Sequence, residues 1–345
     1  MTTPTEQQPA GEPTAAEAPE PREAWWHRLI TGSSAWIGFI LVGLIVIFSI
    51  LSFEEFFAIS NGRNIATDAA VLLVLAVGVT FVIITAGIDL SVGSVLVFSG
   101  VVAAKAMNEL GGESTGVLIA GCVVALAAGC AWGLINGFLV AKANIPAFIV
   151  TLGTLGMALG AALLITGGVD ERNVPFKLIT SIGSGRLFDQ IPWLVVIAVA
   201  VALVFGIILA QTRFGRYTYA IGSNLEGARR SGVNVDRHLI KVYALAGTLS
   251  GLAGYMALAR FGTTSISGHS TDNLNAIAAV VIGGTSLFGG IGTILGTVFG
   301  VFIPVVLQNG FVIIGIQPFW QQVAVGAVLI GAVYLDQLRR ARLRQ

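Results

Sequence analysis

Charge is what this chain has least of. Lys, Arg, Asp and Glu make up 11% of its 345 residues, against about 25% in a soluble domain. So few cannot cover a water-facing surface, and a soluble globular fold is excluded. A net charge of +1 leaves no basic face for nucleic acid. Histidine is scarce too: His27 and His238 lie at the ends of apolar runs and His269 lies in a loop. With no His inside a run beside a serine, and no His-Glu-x-x-His, intramembrane serine and zinc protease chemistry are excluded. The two cysteines, Cys122 and Cys130, stand eight apart on one apolar run. That is too far for a disulfide within one helix and too wide for a metal pair, so both read as small packing residues. There is no Gly-x-x-x-x-Gly-Lys-Ser/Thr loop, hence no nucleotide site of that kind. Nothing calls for a cofactor, a metal or a catalytic residue.

What is abundant is apolar sequence: 55% hydrophobic residues and a mean hydropathy of +0.86. A membrane span needs about 20 such residues. Segments near 35–52, 66–86, 90–106, 116–140, 146–166, 191–210, 239–259, 274–284, 287–308 and 319–335 meet or approach that length. The expected fold class is all-α, a polytopic membrane helical bundle of about ten transmembrane segments. The eighth segment is too short for a regular span and is expected to be broken or re-entrant. Residues 1–30, rich in Pro, Glu, Thr and Ala, read as a disordered tail. Residues 31–338 form the transmembrane domain and 339–345 a basic tail. With the N-terminus inside, Arg22, Arg28, Lys142, Arg213, Arg216, Arg229, Arg230, Arg237, Lys241, Arg339, Arg340, Arg342 and Arg344 fall on the cytoplasmic side. Arg63, Lys105, Arg172, Lys177, Arg186 and Arg260 fall outside. The positive-inside rule therefore places both termini in the cytoplasm. Trp25 and Trp26 inside, and Trp193 and Trp320 outside, suit the aromatic belts.

Between Asn64 and Ala104 only two acids occur, Asp68 and Asp89, and only Asp89 lies far from both ends. An ionisable group at membrane depth costs about 2.5–3.5 kcal/mol on insertion scales and marks a protein-lined or water-lined place. The neighbouring Gly87, Ser91, Gly93 and Ser94 break the helix there, which lipid forbids unless protein or water satisfies the backbone. Broken helices with polar groups belong to transport paths. Asp89 either faces such a path or caps the freed amides together with Ser91 and Ser94. A second glycine-rich break, with Gly283, Gly284, Thr285 and Ser286, is the other candidate. Residues 84–93 can be laid on 281–290 so that Gly87 meets Gly284, Leu90 meets Leu287 and Gly93 meets Gly290, a weak internal repeat of the kind transporters use.

Many of the 44 glycines form stripes. Gly121, Ala125, Gly129, Gly133 and Gly137 are four apart; Gly292, Gly296 and Gly300, Gly247 and Gly251, and Gly156 and Gly160 repeat the device. Such stripes let helix backbones approach closely in lipid. Asn136, Asn144, Thr151 and Thr154 lie around a turn where Pro146 starts a span, and read as capping and interhelical bonding. Gln308, Asn309, Gln317, Gln321 and Gln322 suit either an outer vestibule or plain interfacial polarity.

The largest cytoplasmic loop spans 211–237. Within it Asn224 is a good N-cap, Leu225 to Ser231 can make two short turns, and Gly232 fits the position just past the end. Glu226 in the first turn with Arg229 and Arg230 in the last match the helix dipole. A solvated basic loop accounts for the charges as well; the capped helix inside it favours a docking element for a partner's groove.

Four stretches in this order, Gly87–Ser94 (GIDLSVGS), Gly133–Thr154, Ala220–Asn234 (AIGSNLEGARRSGVN) and Ala276–Gly290 (AIAAVVIGGTSLFGG), resemble the permease subunits of bacterial ATP-binding-cassette sugar importers, the ribose, xylose and galactose group. The resemblance spans about Asn64 to Asp336. It implies a plasma (inner) membrane permease, itself non-catalytic, that translocates a monosaccharide. It implies three partners: a cytoplasmic ABC ATPase acting on the loop residues Asn224, Glu226, Arg229, Arg230 and Gly232; an extracytoplasmic sugar-binding protein; and a second permease chain, identical or paralogous. One departure stands out. Such permeases carry Glu-Leu-Asp before the Ala276 run, where this chain has Asn273 and Asn275 beside Asp272, at the expected outer mouth. An ion- or proton-coupled carrier is the rival reading, though that class tends to use several buried acids or histidines. An ABC permease for nucleosides or branched-chain amino acids is the other.

Overall fold

A backbone in lipid has no water to bond, so each apolar run must close its own hydrogen bonds, as a helix does. The computed structural model describes residues 33–334 apart from 270, 318, 328, 329, 332 and 333. The helices are α1 (Ser33–Leu51), α2 (Ile59–Ile84), α3 (Val92–Leu110), α4 (Thr115–Ala141), α5 (Ala147–Thr166), α6 (Trp193–Gln211), α7 (Arg213–Ser223), α8 (Leu225–Arg230), α9 (Val235–Phe261), α10 (Asp272–Ile282) and α11 (Ile294–Ile313). A two-residue-strand hairpin, Arg186–Leu187 with Ile191–Pro192, precedes α6.

Among the described residues seven helices are long and apolar enough to span: α2 to α6, α9 and α11. The described apolar part of α1 and all of α10 are shorter. The expected ninth segment is corrected at its start. Helix α11 begins at Ile294 rather than near 287, because Gly289 and Gly290 adopt positive φ and hold the chain in turns. The tenth expected segment is helical over 319–327 and at 330, 331 and 334, its remaining residues lying outside the described ones. The tails 1–30 and 339–345, Trp25, Trp26 and the terminal arginines lie outside them.

The core is a close antiparallel contact of α4 with α9. Gly129 packs on Gly247 and Gly251, Gly133 on Tyr243 and Gly251 on Ala125. A methyl added at Gly137 would lie 2.7 Å from the Ile240 Cα. The stripe read from the sequence is thus a backbone-to-backbone seam. Gly296 packs on Gly283 and Gly300 on Ala279, joining α10 to α11, whereas Gly292 precedes α11 and rests on Thr285. Gly156 and Gly160 depart from the expectation: a methyl at either would meet nothing within 4 Å, so that stripe faces outward from this chain.

The α4–α9 pair fixes two ends of the bundle. At one, Lys142 and Asp236 pair at 2.8 Å beside α8. At the other, Arg260 of α9 pairs with Asp68 of α2 at 3.1 Å, and Lys105 of α3 meets Glu171. The hydrogen bond from Lys105 holds the Glu171 carboxyl below the usual carboxylate range. Polar pairs join α2 to α11 near each end. Thr80 and Thr297 share a 2.7 Å bond, and Asn61 and Asn309 exchange amide bonds of 3.0 and 2.7 Å.

Candidate functional site

Helix α2 stops because Ala86 takes φ +61°. The Ala86 amide donates to Ile83 O (2.9 Å) and the Gly87 amide to Val82 O (3.1 Å), the double closure of a Schellman end. Gly87 has no room for a side chain, since its Cβ would lie 2.6 Å from the Tyr243 hydroxyl. That hydroxyl is buried and, among the described residues, has no hydrogen-bond partner. Asp89 is buried. Its Oδ1 accepts from the Ser91 amide (2.9 Å) and the Ser91 hydroxyl (2.6 Å).

The network then leaves the break. Asn136 Nδ2 of α4 donates to Ser91 Oγ (2.8 Å), and Thr154 Oγ1 of α5 donates to Asn136 Oδ1 (2.7 Å). Thr151 Oγ1 donates to Ile88 O at 3.1 Å. Helices α4 and α5 are thus linked, through Ser91, to one carboxylate. Ser94, expected to share the capping, makes no bond to Asp89; Asn136 and Thr154 complete the network instead. Their spacing, 18 residues apart and 45 or more from Ser91, gave no local signal. Gly93 supports the far side of the break, its Cβ position 3.2 Å from the Asn273 amide nitrogen. Asn273 Nδ2 donates to Leu90 O at 3.1 Å, which a carboxylate in its place could not do.

The second break ends α10 by the same closure. The Gly284 amide donates to Val281 O (2.9 Å) and the Thr285 amide to Val280 O (3.2 Å), with Gly284 at φ +86°. Matching closure to closure pairs Ala86 with Gly284 and Gly87 with Thr285. The repeat read from the sequence is therefore one residue out of register: glycine was aligned with glycine, but the left-handed position in the first break is an alanine. Gly283 packs on Gly296. The Thr285 hydroxyl is buried without a partner among the described residues, and Ser286 Oγ accepts from the Phe288 amide. The two breaks touch, the Gly290 amide donating to Ile84 O at 2.9 Å.

The loop helix forms as its sequence dictates. Asn224 Oδ1 accepts from the Gly227 amide at 2.8 Å. Gly232 takes φ +84°, and the Val233 amide donates to Ala228 O, closing the C-terminus. Glu226 pairs with Arg230 at 3.3 Å and Arg229 with Asp236 at 3.4 Å. A recess of about 630 Å³ lies between α8 and the α4–α5 turn, lined by Lys142, Asn144, Arg229 and Asp236 among others. One contact was not legible in the sequence. Gly222, in the last turn of α7, sits directly on the Ile84 carbonyl and beside Gly290, and a methyl there would clash with both. Helix α7, which leads into the loop helix, thereby touches both breaks, and its Tyr219 Oη donates to Gly292 O at 2.7 Å alongside. Among the described residues no group of three His, Cys, Asp or Glu is placed to hold a metal.

Residues 62–333 match the family model described as "Branched-chain amino acid transport system / permease component". The ribose import permease protein of Escherichia coli K12 is 39% identical over 306 residues, covering 87% of this chain and 93% of that protein. The galactose/methyl galactoside import permease protein of the same strain is 37% identical over 323 residues, 88% and 95%. An autoinducer 2 import system permease protein of Yersinia pseudotuberculosis is 35% identical over 303 residues, 87% and 84%. No solved structure matches.

Proposed function

The chain belongs to the permease-component family of ATP-binding-cassette importers, multi-pass proteins of the inner membrane, and from that premise we propose that it conducts a monosaccharide released by a binding protein, driven by an ATPase on a separate chain. The sugar is proposed from the ribose and galactose permeases among its relatives. The α8 end, with its excess of Lys and Arg, faces the cytoplasm in this reading, and both termini lie on that side. The chain itself catalyses nothing.

The observation that carries the mechanism is the contact of Gly222 with Ile84 and Gly290. A push on α8 reaches α7 through Ile221, Ala228 and Val235, which pack together, and α7 bears on both breaks. Small displacements at packed interfaces move whole elements because close-packed contacts do not deform smoothly. In this scheme Asn224, Glu226, Arg229, Arg230 and Gly232 form the ATPase-docking helix. Gly87, Asp89, Ser91 and Gly93 form one movable break, held by the Asn136–Thr154 network, and Gly283, Gly284, Thr285 and Ser286 the other. Asp89 acts as the anchor of its break, since a neutral sugar needs no carboxylate.

The test is charge reversal. Arg229→Glu with Arg230→Glu, in the full transporter reconstituted in vesicles, uncouples ATP hydrolysis from uptake if α8 is the docking helix. Uptake per ATP equal to wild type contradicts that role.

A further inference from the structure

Helix α10 is a half-helix. Its 11 residues rise about 16 Å. It starts beside Leu90 and Gly93 and ends against the first turn of α11 at the α8 end. Residues 262–269 run from the far end of α9 back towards the start of α10. Above its start, open towards the end opposite α8, lies a cavity of about 240 Å³. Asp68, Phe261, Asp272, Asn275, Gln308 and Gln321 make up half of its lining. The cavity is a polar mouth at this end of the bundle: Asp68, Phe261 and Gln308 are exposed, Asp272 and Asn275 half-buried and Gln321 buried. Asp68 Oδ1 accepts from Arg260, Asp272 Oδ2 pairs with His269 Nδ1 at 2.7 Å, and Gln321 Nε2 donates to Gln308 Oε1 at 3.3 Å. Among the described residues this leaves the whole Asn275 amide, the Gln308 amide hydrogens, the Gln321 carbonyl and one oxygen of each aspartate.

We infer that this cavity is a holding site for one neutral, polyhydroxylated ring, entered from the end opposite α8, an assignment that rests on the importer reading above. Hydroxyls both donate and accept, and the unused groups offer both within one small space. Phe261 supplies an apolar face for a sugar's C–H edge. The aspartates disfavour an anion. Drug-sized pockets run to about 300–1,000 Å³, so this smaller one admits a single ring and no oligosaccharide.

The experiment uses the assembled transporter with its ATPase and binding protein in vesicles, and radiolabelled D-ribose and D-galactose as probes. Asn275→Ala and Gln308→Ala are expected to lower uptake of the transported probe about three- to tenfold, the loss of one neutral hydrogen bond, with ATP hydrolysis unchanged. In a second arm Gln308→Cys, with Cys122 and Cys130 replaced by Ala, is labelled by a small thiol reagent in nanodiscs, and millimolar probe slows labelling. Wild-type uptake with unaltered variants and no protection overturns the holding site and leaves the importer reading standing. Absence of ATP-driven uptake of either probe by the wild-type assembly overturns the reading on which it rests.

Discussion

Replacing Asp89 by alanine removes the one acceptor that both donors of Ser91 share. The Ser91 amide and hydroxyl bond the same Oδ1 at 2.9 and 2.6 Å in a buried site. Each buried donor left unsatisfied costs about 1–3 kcal/mol. Against this, deleting a buried carboxylate recovers its own desolvation cost, and the Ser91 hydroxyl remains a partner of Asn136. The net loss is set near the lower bound, about 2 kcal/mol, or roughly a thirtyfold shift in the folded-to-unfolded ratio. Asp89→Asn keeps the Oδ1 acceptor and should lose much less. The assay is an unfolding titration of the purified protein in mixed micelles, paired with uptake in vesicles. The expected order is wild type, then Asn, then Ala, in both stability and uptake. An alanine variant with the wild-type midpoint and wild-type uptake refutes the anchoring role. An asparagine variant that folds normally yet fails to transport assigns the charge itself to the path.

Asn224→Ala removes the cap of α8 and should cost about 1 kcal/mol of local helix stability, read as faster amide exchange at 225–230 and weaker ATPase coupling. Gly129→Leu drives a side chain into the Gly247 carbonyl across the α4–α9 seam and should reduce the folded yield sharply, by more than the 1–3 kcal/mol typical of overpacking; Gly156→Leu, on the open stripe, should fold normally. For Glu171 the carboxyl is held below its ordinary range, so the Lys105 pair stabilises the fold above the unfolded value and is lost as pH falls through the folded one. Glu171→Gln should therefore lower stability at neutral pH, converge with wild type at low pH, and so flatten the acid limb of a stability-against-pH curve.

The spans were legible because apolar runs of membrane length have few other fates, and the α4 seam because its glycines fall four apart on a single helix. The cap of α8 was legible because Asn224, Gly227 and Gly232 are local to each other. What escaped was contact between distant segments. Asn309 and Gln308 are adjacent, yet one pairs with Asn61, 248 residues away, and the other lines the cavity above α10. Whether a glutamine faced a vestibule or an interface depended on helix rotation, which no local pattern near 308 or 321 recorded. The repeat slipped by one residue because glycine was taken as the marker of left-handed backbone, while Ala86, pressed against Gly289, adopts it without being glycine. The bearing of Gly222 on both breaks had no sequence signal, since it joins three segments spread over some two hundred residues.

The central claim is that the motor lies outside this chain. Purified protein in liposomes, with and without an ATPase partner and a loaded binding protein, should accumulate labelled sugar only when both are present and ATP is supplied on the α8 side. Accumulation by the chain alone, powered by a proton or sodium gradient, contradicts it.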